Sequence, residues 1–194
     1  MRITDNFDPE TWVDRYGDYL YCYALSRIQN SPIAEDLVRK TFLSALQSLK
    51  QFEGRSSLKT WLTGILKHKI MDHFRKKIRE GTAERSSSIE NLDEFFDEVG
   101  QWRQALGKWT ADPHKLYEQH EFMKVLQNCL SELPDRLSII FTLREMMDES
   151  TQKICQILNI SATNCGVMLY RASMYLRRCL EINWISGKTF EDSR

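Results

Sequence analysis

The chain has 194 residues, 42% of them apolar and 28% charged, and its 27 Lys plus Arg are balanced by 27 Asp plus Glu. That length allows one domain or two small ones. The apolar share excludes wholesale disorder, and a formal charge of zero argues against both a uniformly basic nucleic-acid coat and an acidic tail protein. Eight Gly and four Pro predict long elements with few tight turns. The N-terminal stretch lacks an apolar signal core and no run approaches 18 apolar residues, so neither secretion nor membrane insertion is expected and the location is cytoplasmic. The five cysteines, Cys22, Cys129, Cys155, Cys165 and Cys179, are odd in number and scattered, without a C-x-x-C pair. They read as small buried apolar residues in a reducing compartment.

Helical patterning dominates and strand alternation is not found, so the expected class is all-α. A first helix runs from about Pro9 to Ile28, with Trp12, Tyr16, Tyr19, Leu20 and Tyr23 at helical spacing. Asn30-Ser31-Pro32 stops and restarts the chain, with Ser31 as the cap and Pro32 at the first helical position. The second helix carries the stripe Ala34, Leu37, Val38, Thr41, Phe42, Ala45, Leu46 and Leu49. Gly54-Arg55-Ser56-Ser57 breaks it, and Ser57 caps a third helix with Leu58, Trp61, Leu62, Ile65 and Leu66 on one face. Residues 1–80 thus form one small helical bundle.

Residues 81–115 read as a flexible acidic linker, whose Phe95, Phe96, Trp102 and Trp109 suggest a segment that lies against its own domains or a partner. A second helical block spans 116–184. Its last part, a short helix from Thr151 to Leu158, a turn at Asn159 and a long helix capped by Ser161, is a helix-turn-helix candidate. The tail 185–194 has no assigned role.

Dividing the charge along the chain makes it informative. Residues 1–80 carry 14 basic and 10 acidic side chains, residues 81–121 carry 4 and 9, and residues 122–194 carry 9 and 8. Between Lys59 and Arg79, seven cations face Asp72 alone, a local +6 inside a neutral total. Such a cluster is the electrostatic footprint of polyanion binding or else a solvated helix face. Catalytic signals are absent: no phosphate loop, nucleophile elbow or zinc-protease helix occurs. His68 and His73 fall about 140° apart on a helix, the wrong geometry for a shared metal. No enzyme, cofactor or metal is expected.

Two ordered motif blocks resemble the extracytoplasmic-function sigma factors of bacterial RNA polymerase. Ala34-Glu35-Asp36-Leu37-Val38, Phe42, Phe52, Gly54, Trp61-Leu62-x-x-Ile65, Asp72 and Arg75 are similar to conserved region 2. Leu133-Pro134-x-Arg136, Leu143-Arg144-Glu145, Leu158-x-Ile160-Ser161 and Leu169-x-Arg171-Ala172 are similar to region 4. The resemblance implies a non-enzymatic initiation factor that binds core polymerase at the β′ clamp and β flap and directs it to promoter DNA. An anti-sigma factor or another targeting protein is an implied further partner.

By that resemblance Asp36, Leu37, Arg39 and Lys40 dock the clamp. Phe52, Arg55, Ser56, Lys59, Trp61, Lys67, His68, Arg75 and Lys76 hold the melted −10 element, and Arg144, Thr151, Thr163, Asn164, Val167, Met168 and Arg171 serve the −35 element. Bland alternatives stand beside these roles: Trp61 as core, Lys76 at a solvated helix end, Arg171 as an intrahelical ion-pair partner. Arg39 and Lys40 stand where the family usually has Gln and an acidic residue, and Gly166, Val167, Met168 and Ser173 replace usual cationic or hydroxyl residues. Rival readings are a sigma-like adaptor targeted by another protein and a plain helix-turn-helix regulator.

Overall fold

A computed structural model of the chain describes residues 8–81, 96, 97, 101 and 120–185. The chain divides into two compact units, Met1–Lys76 and Lys77–Arg194. Every regular element among the described residues is a helix, which is the all-α class expected. Among the described residues no helix is long and apolar enough to cross a membrane.

In the N-terminal unit the Asp8 carboxylate accepts from the Glu10 amide at 3.1 Å and caps a 3-10 turn, Pro9–Thr11. The first helix proper, α1 (Trp12–Ile28), follows this turn and ends at Gln29 in the left-handed region, whose N–H reaches the Leu25 carbonyl. Helix α2 (Ser31–Ser48) is capped by Asn30 rather than by Ser31 as expected: Asn30 is extended, and its side-chain oxygen accepts from the Ile33 amide at 3.1 Å. The Ser31 hydroxyl instead shares a hydrogen bond with Tyr21 on α1, at 3.0 Å. A 3-10 turn, Leu49–Gln51, leads to the loop before α3 (Leu58–Arg79), where Ser57 accepts from the Thr60 amide as expected.

Leu58, Leu62, Leu66 and Ile70, spaced by four, form the inner row of α3. The apolar stripe of α2 is narrower than its sequence suggests. Ala34, Leu37, Val38 and Ala45 are buried, but Leu46 is 47% exposed and Leu43 60% exposed. Thr41 is buried, and its hydroxyl donates to the Leu37 carbonyl at 2.7 Å, which satisfies it within its own helix.

The described part of the C-terminal unit contains α4 (His120–Glu132), α5 (Asp135–Phe141), α6 (Thr151–Leu158) and α7 (Ala162–Leu180). Helix α5 passes directly into a π turn, Thr142–Met146. A second π turn, Glu181–Ile185, extends α7. Ser150 and Ser161 cap α6 and α7 by accepting from the Lys153 and Asn164 amides, each at 3.2 Å. Asn159 takes the left-handed conformation at φ 53°, as the turn demands. Leu130, Leu133, Ile140, Leu143, Ile154, Leu158 and Ala172 form the interior.

Cys129 and Cys179, read as separate thiols, are joined by a disulfide between α4 and α7, and only Cys22, Cys155 and Cys165 are free. Helical periodicity carries no information about a partner 50 residues away, and Cys22, also expected to be buried, is exposed on α1. Chain entropy assigns a loop of that length about 4 kcal/mol of stabilisation. Most of the linker, with Phe95, Trp102 and Trp109, lies outside the described residues, as does most of the tail. Phe96 is described, and it is 2% exposed.

Leu66 is fully buried, so Leu66→Ala removes transfer energy and leaves a cavity. Urea unfolding is expected to show a loss of about 3 kcal/mol for the N-terminal unit.

Candidate nucleic-acid interface

Four residues on α2 are assigned to a protein partner. Asp36 is half-buried, and Arg39 and Lys40 are exposed; Leu37 is only 6% exposed and belongs to the core, because it shares the inner stripe with Ala34 and Val38. Both cations have a carboxylate one turn earlier: Lys40 Nζ lies 2.6 Å from Asp36, and Arg39 lies 3.8 Å from Glu35. Its hydrogen bond with Lys40 holds the Asp36 carboxyl below its usual value. The charge reversal read from sequence is therefore answered locally. The exposed Leu43 and Leu46 continue this surface with an apolar patch, of which sequence reasoning had placed Leu46 on the inner stripe.

The loop from Phe52 to Ser57 and the start of α3 form the second surface. Phe52 stacks on Trp61 with ring centroids 4.5 Å apart and 28° between planes, and Trp61 in turn meets Trp12 edge-on at 6.3 Å. Trp61 is half-buried, so it takes part in packing and still presents an edge to solvent. A cavity of about 230 Å³ opens beside it, lined by Gln51, Phe52, Glu53, Arg55, Ser56 and Trp61. Gly54 turns this loop at φ 70°, where any other residue is strained although a Cβ meets nothing. Arg55 pairs with Glu53 at 2.5 Å, and the Lys59 ammonium sits 3.7 Å from the centre of the Tyr19 ring.

Further along α3, Trp61, His68 and Arg75 recur at sevens and share one face. His68 and Lys76 are exposed and Lys67 is half-buried, while Arg75 pairs with Asp72. The structure thus gathers Phe52, Arg55, Ser56 and Trp61 around one opening and spreads the remaining cations along the helix.

In the C-terminal unit, the α6–turn–α7 arrangement exposes Thr163, Asn164 and Val167, the last to 46%. Other assigned residues are engaged elsewhere. Arg144 donates to the Glu149 carbonyl at 2.9 Å and to the Thr151 hydroxyl, and so ties the turn before α6 to the helix it precedes. Met168 packs against the core cluster around Leu130 and Leu176. Arg171 is half-buried with its guanidinium 5.4 Å from the centre of the Phe96 ring, and Phe96 also meets Tyr170 at 6.2 Å. The backbone just after Phe96 is closed by hydrogen bonds between Asp97 and Gln101. Phe96 and Tyr170 belong to this surface although neither was singled out for it. The aromatic residue in an acidic linker was the available signal, and what it covers was not legible.

The family profile described as "Sigma-70 region 2" matches residues 12–80, and "Sigma-70, region 4" matches residues 123–176. A protein of Haemophilus influenzae named "Probable RNA polymerase sigma factor" is 34% identical over 160 residues, covering 81% of this chain and 82% of its own. "ECF RNA polymerase sigma factor SigX" of Bacillus subtilis is 27% identical over 169 residues, covering 87% and 81%. A solved structure, the sigma factor RpoE in complex with the anti-sigma factor NepR from Bartonella quintana, aligns over 90% of this chain and 97% of its own, with 20% identity and a TM-score of 0.44.

Two substitutions separate packing from contact. A Cβ at Gly166 meets nothing within 4 Å, so Gly166→Ala is expected to stabilise the C-terminal unit by about 0.5–1 kcal/mol in thermal melts. Removing the Arg144 clamp with Arg144→Ala is expected to cost about 1–3 kcal/mol in the same melts.

Proposed function

The chain belongs to the sigma-70 family, and from that premise we propose how its surfaces share the work of an alternative sigma factor that directs transcription initiation. Residues 1–80 act as region 2, 81–115 as the linker, and 116–184 as region 4. Core polymerase is met by the outer face of α2, where Asp36, Arg39 and Lys40 give a polar register and Leu43 and Leu46 give apolar area. Leu37 supports this face from inside.

The melted −10 strand is held by the loop and α3. Separated strands expose bases that stack on aromatic rings, and phosphates that draw cations. The opening formed by Phe52, Arg55, Ser56 and Trp61 supplies a ring and polar groups for one unstacked base. Lys59, Lys67, His68, Arg75 and Lys76 line the path of the backbone. The −35 duplex is met by Thr163, Asn164 and Val167 at the exposed start of α7, with Arg171 further along. The work is binding and strand separation rather than covalent chemistry, and it takes place in the cytoplasm.

The observation that carries this reading is the open pocket of Phe52 and Trp61 beside a cation-rich helix, in the unit that matches region 2. A second reading, a sigma-like adaptor that another protein targets, is favoured by the Phe96 contact. That ring rests on Tyr170 and Arg171, part of the face that would enter the groove. In the free chain this favours weak −35 binding until polymerase or a partner draws the linker away.

Purified chain with core polymerase on promoter DNA carrying a fluorescent melting probe tests both. Core binding with sequence-selective opening is expected; core binding without selectivity favours the adaptor, and no core binding sinks both. Phe52→Ala is expected to lower opening about tenfold, the effect of losing one base stack, with core binding retained. Phe96→Ala is expected to raise duplex affinity of the free chain, and Arg171→Ala to lower −35-dependent transcription. Unchanged output from Arg171→Ala removes that residue from the reading face.

A further inference from the structure

Cys129 and Cys179 face each other across α4 and α7 with Cα atoms 5.9 Å apart, inside the core of the C-terminal unit. Disulfides rarely persist where thiol reductants dominate, and those that form in such compartments are mostly transient or redox-sensing. A partner of RNA polymerase works in such a compartment. We propose that Cys129 and Cys179 are a reversible thiol–disulfide pair, oxidised by a low-molecular-weight disulfide, that sets how firmly α7 is held. The inference rests on the sigma-factor reading for its compartment and its functional readout.

The surroundings suit both redox states. Leu130, Leu133, Ala172 and Leu176 pack around the pair and hold α4 against α7 without a covalent link. The Asn183 amide donates to Cys179 Sγ at 3.3 Å, and the Glu132 carboxylate lies 3.9 Å from the same sulfur. A reduced Cys179 thus has an acceptor for its S–H, and a departing Cys179 thiolate has a donor. Glu132 is itself fixed by the Tyr175 hydroxyl, which donates to it at 2.9 Å.

Cys129 is fully buried and Cys179 is 6% exposed, one residue before the end of α7. Opening of the last turn presents Cys179 first. Its thiolate attacks the external disulfide and expels one thiolate. Cys129 then attacks the mixed disulfide and expels the second. Two protein thiols and one external disulfide become one protein disulfide and two external thiols. Cys165 offers no comparable route: it is buried, and that burial, with the neighbouring Cys155, pushes its thiol up.

The bridge matters because α7 also carries Thr163, Val167 and Arg171. Pinning the C-terminal end of α7 to α4 also fixes the groove of about 400 Å³ between them, which Leu126, Leu176 and Leu180 line.

The test equilibrates the full chain, in a Cys22→Ser background that removes the exposed thiol, in mixtures of reduced and oxidised glutathione. Denaturing alkylation then counts thiols by mass. Four labels in reducing mixtures and two in oxidising ones are expected, since Cys155 and Cys165 are always free. The oxidised form is expected to melt about 10 °C higher and to give at least about threefold more −35-dependent transcription with core polymerase, a difference that Cys129→Ser/Cys179→Ser abolishes. Four labels at every ratio, two labels in excess reductant, or equal melting and transcription overturns the proposal. If that double variant does not fold, label counts and melts of the parent chain decide. If neither redox form transcribes with core, the sigma-factor reading fails while the label count still decides the pair.

Discussion

Trp61 is held between Trp12, at the start of α1, and Phe52, in the loop before α3. This stack is the constraint on which the N-terminal unit's proposed work depends. A loop of Gly, Ser and charged residues has little of its own to fix it, and Gly54 adds freedom rather than order. Seating Phe52 on a ring that is itself packed on α1 gives the loop a rigid floor. A pocket that is to accept a base needs that pre-organisation, because ordering the loop at the moment of binding would consume binding energy. One half-buried ring serves both packing and recognition, which is why treating Trp61 as either core or contact poses a false choice.

The helices were legible because their signals are local. Ser57, Ser161 and Asn159 act as cap, cap and left-handed turn, each through a group within four residues. Asn30 took the cap expected of Ser31 because two polar residues in succession were equally able to accept, and only the extended backbone at Asn30 decides between them. What was not legible depends on pairs distant in sequence. The Cys129–Cys179 bond, the Phe96 contact with Arg171 and the edge of Trp12 on Trp61 join residues tens of positions apart. Burial misled in both directions for the same reason. Leu46 fits a helical stripe that no neighbour covers, while Leu37 sits in a motif whose importance suggested contact but whose place on α2 is internal. The motif order identified the family; the fates of its side chains needed the packing.

The C-terminal unit shows how far a reading surface depends on its supports. Arg144, assigned to the −35 element, donates to the Glu149 carbonyl and the Thr151 hydroxyl. That clamp follows Asp148, which lies at positive φ, and it fixes where α6 begins. Under the proposed function, Arg144 acts by positioning the helix-turn-helix. Met168 does the same from the other side of α7 by joining the core. The exposed contact set shrinks to the first turns of α7 and to Arg171 beneath Phe96.

The neutral total charge then has a physical meaning. Arg39, Lys40, Arg55 and Arg75, all assigned to partner or DNA contact, each stand beside a carboxylate two to four residues away. Exposed pairs of this kind are weak and screened by salt, so the carboxylates are not anchors. Their effect is on competition. A phosphate approaching such a cation displaces a carboxylate at little cost where several contacts form together. A single encounter at one of these four side chains meets a locally neutral pair. Under the proposed function, non-specific binding, which depends on cation count, is weakened at these four positions. Under the proposed function, polymerase supplies the simultaneity by presenting the melted strand along α3. Under the proposed function, keeping these four cations partnered until the assembled complex engages them favours selectivity.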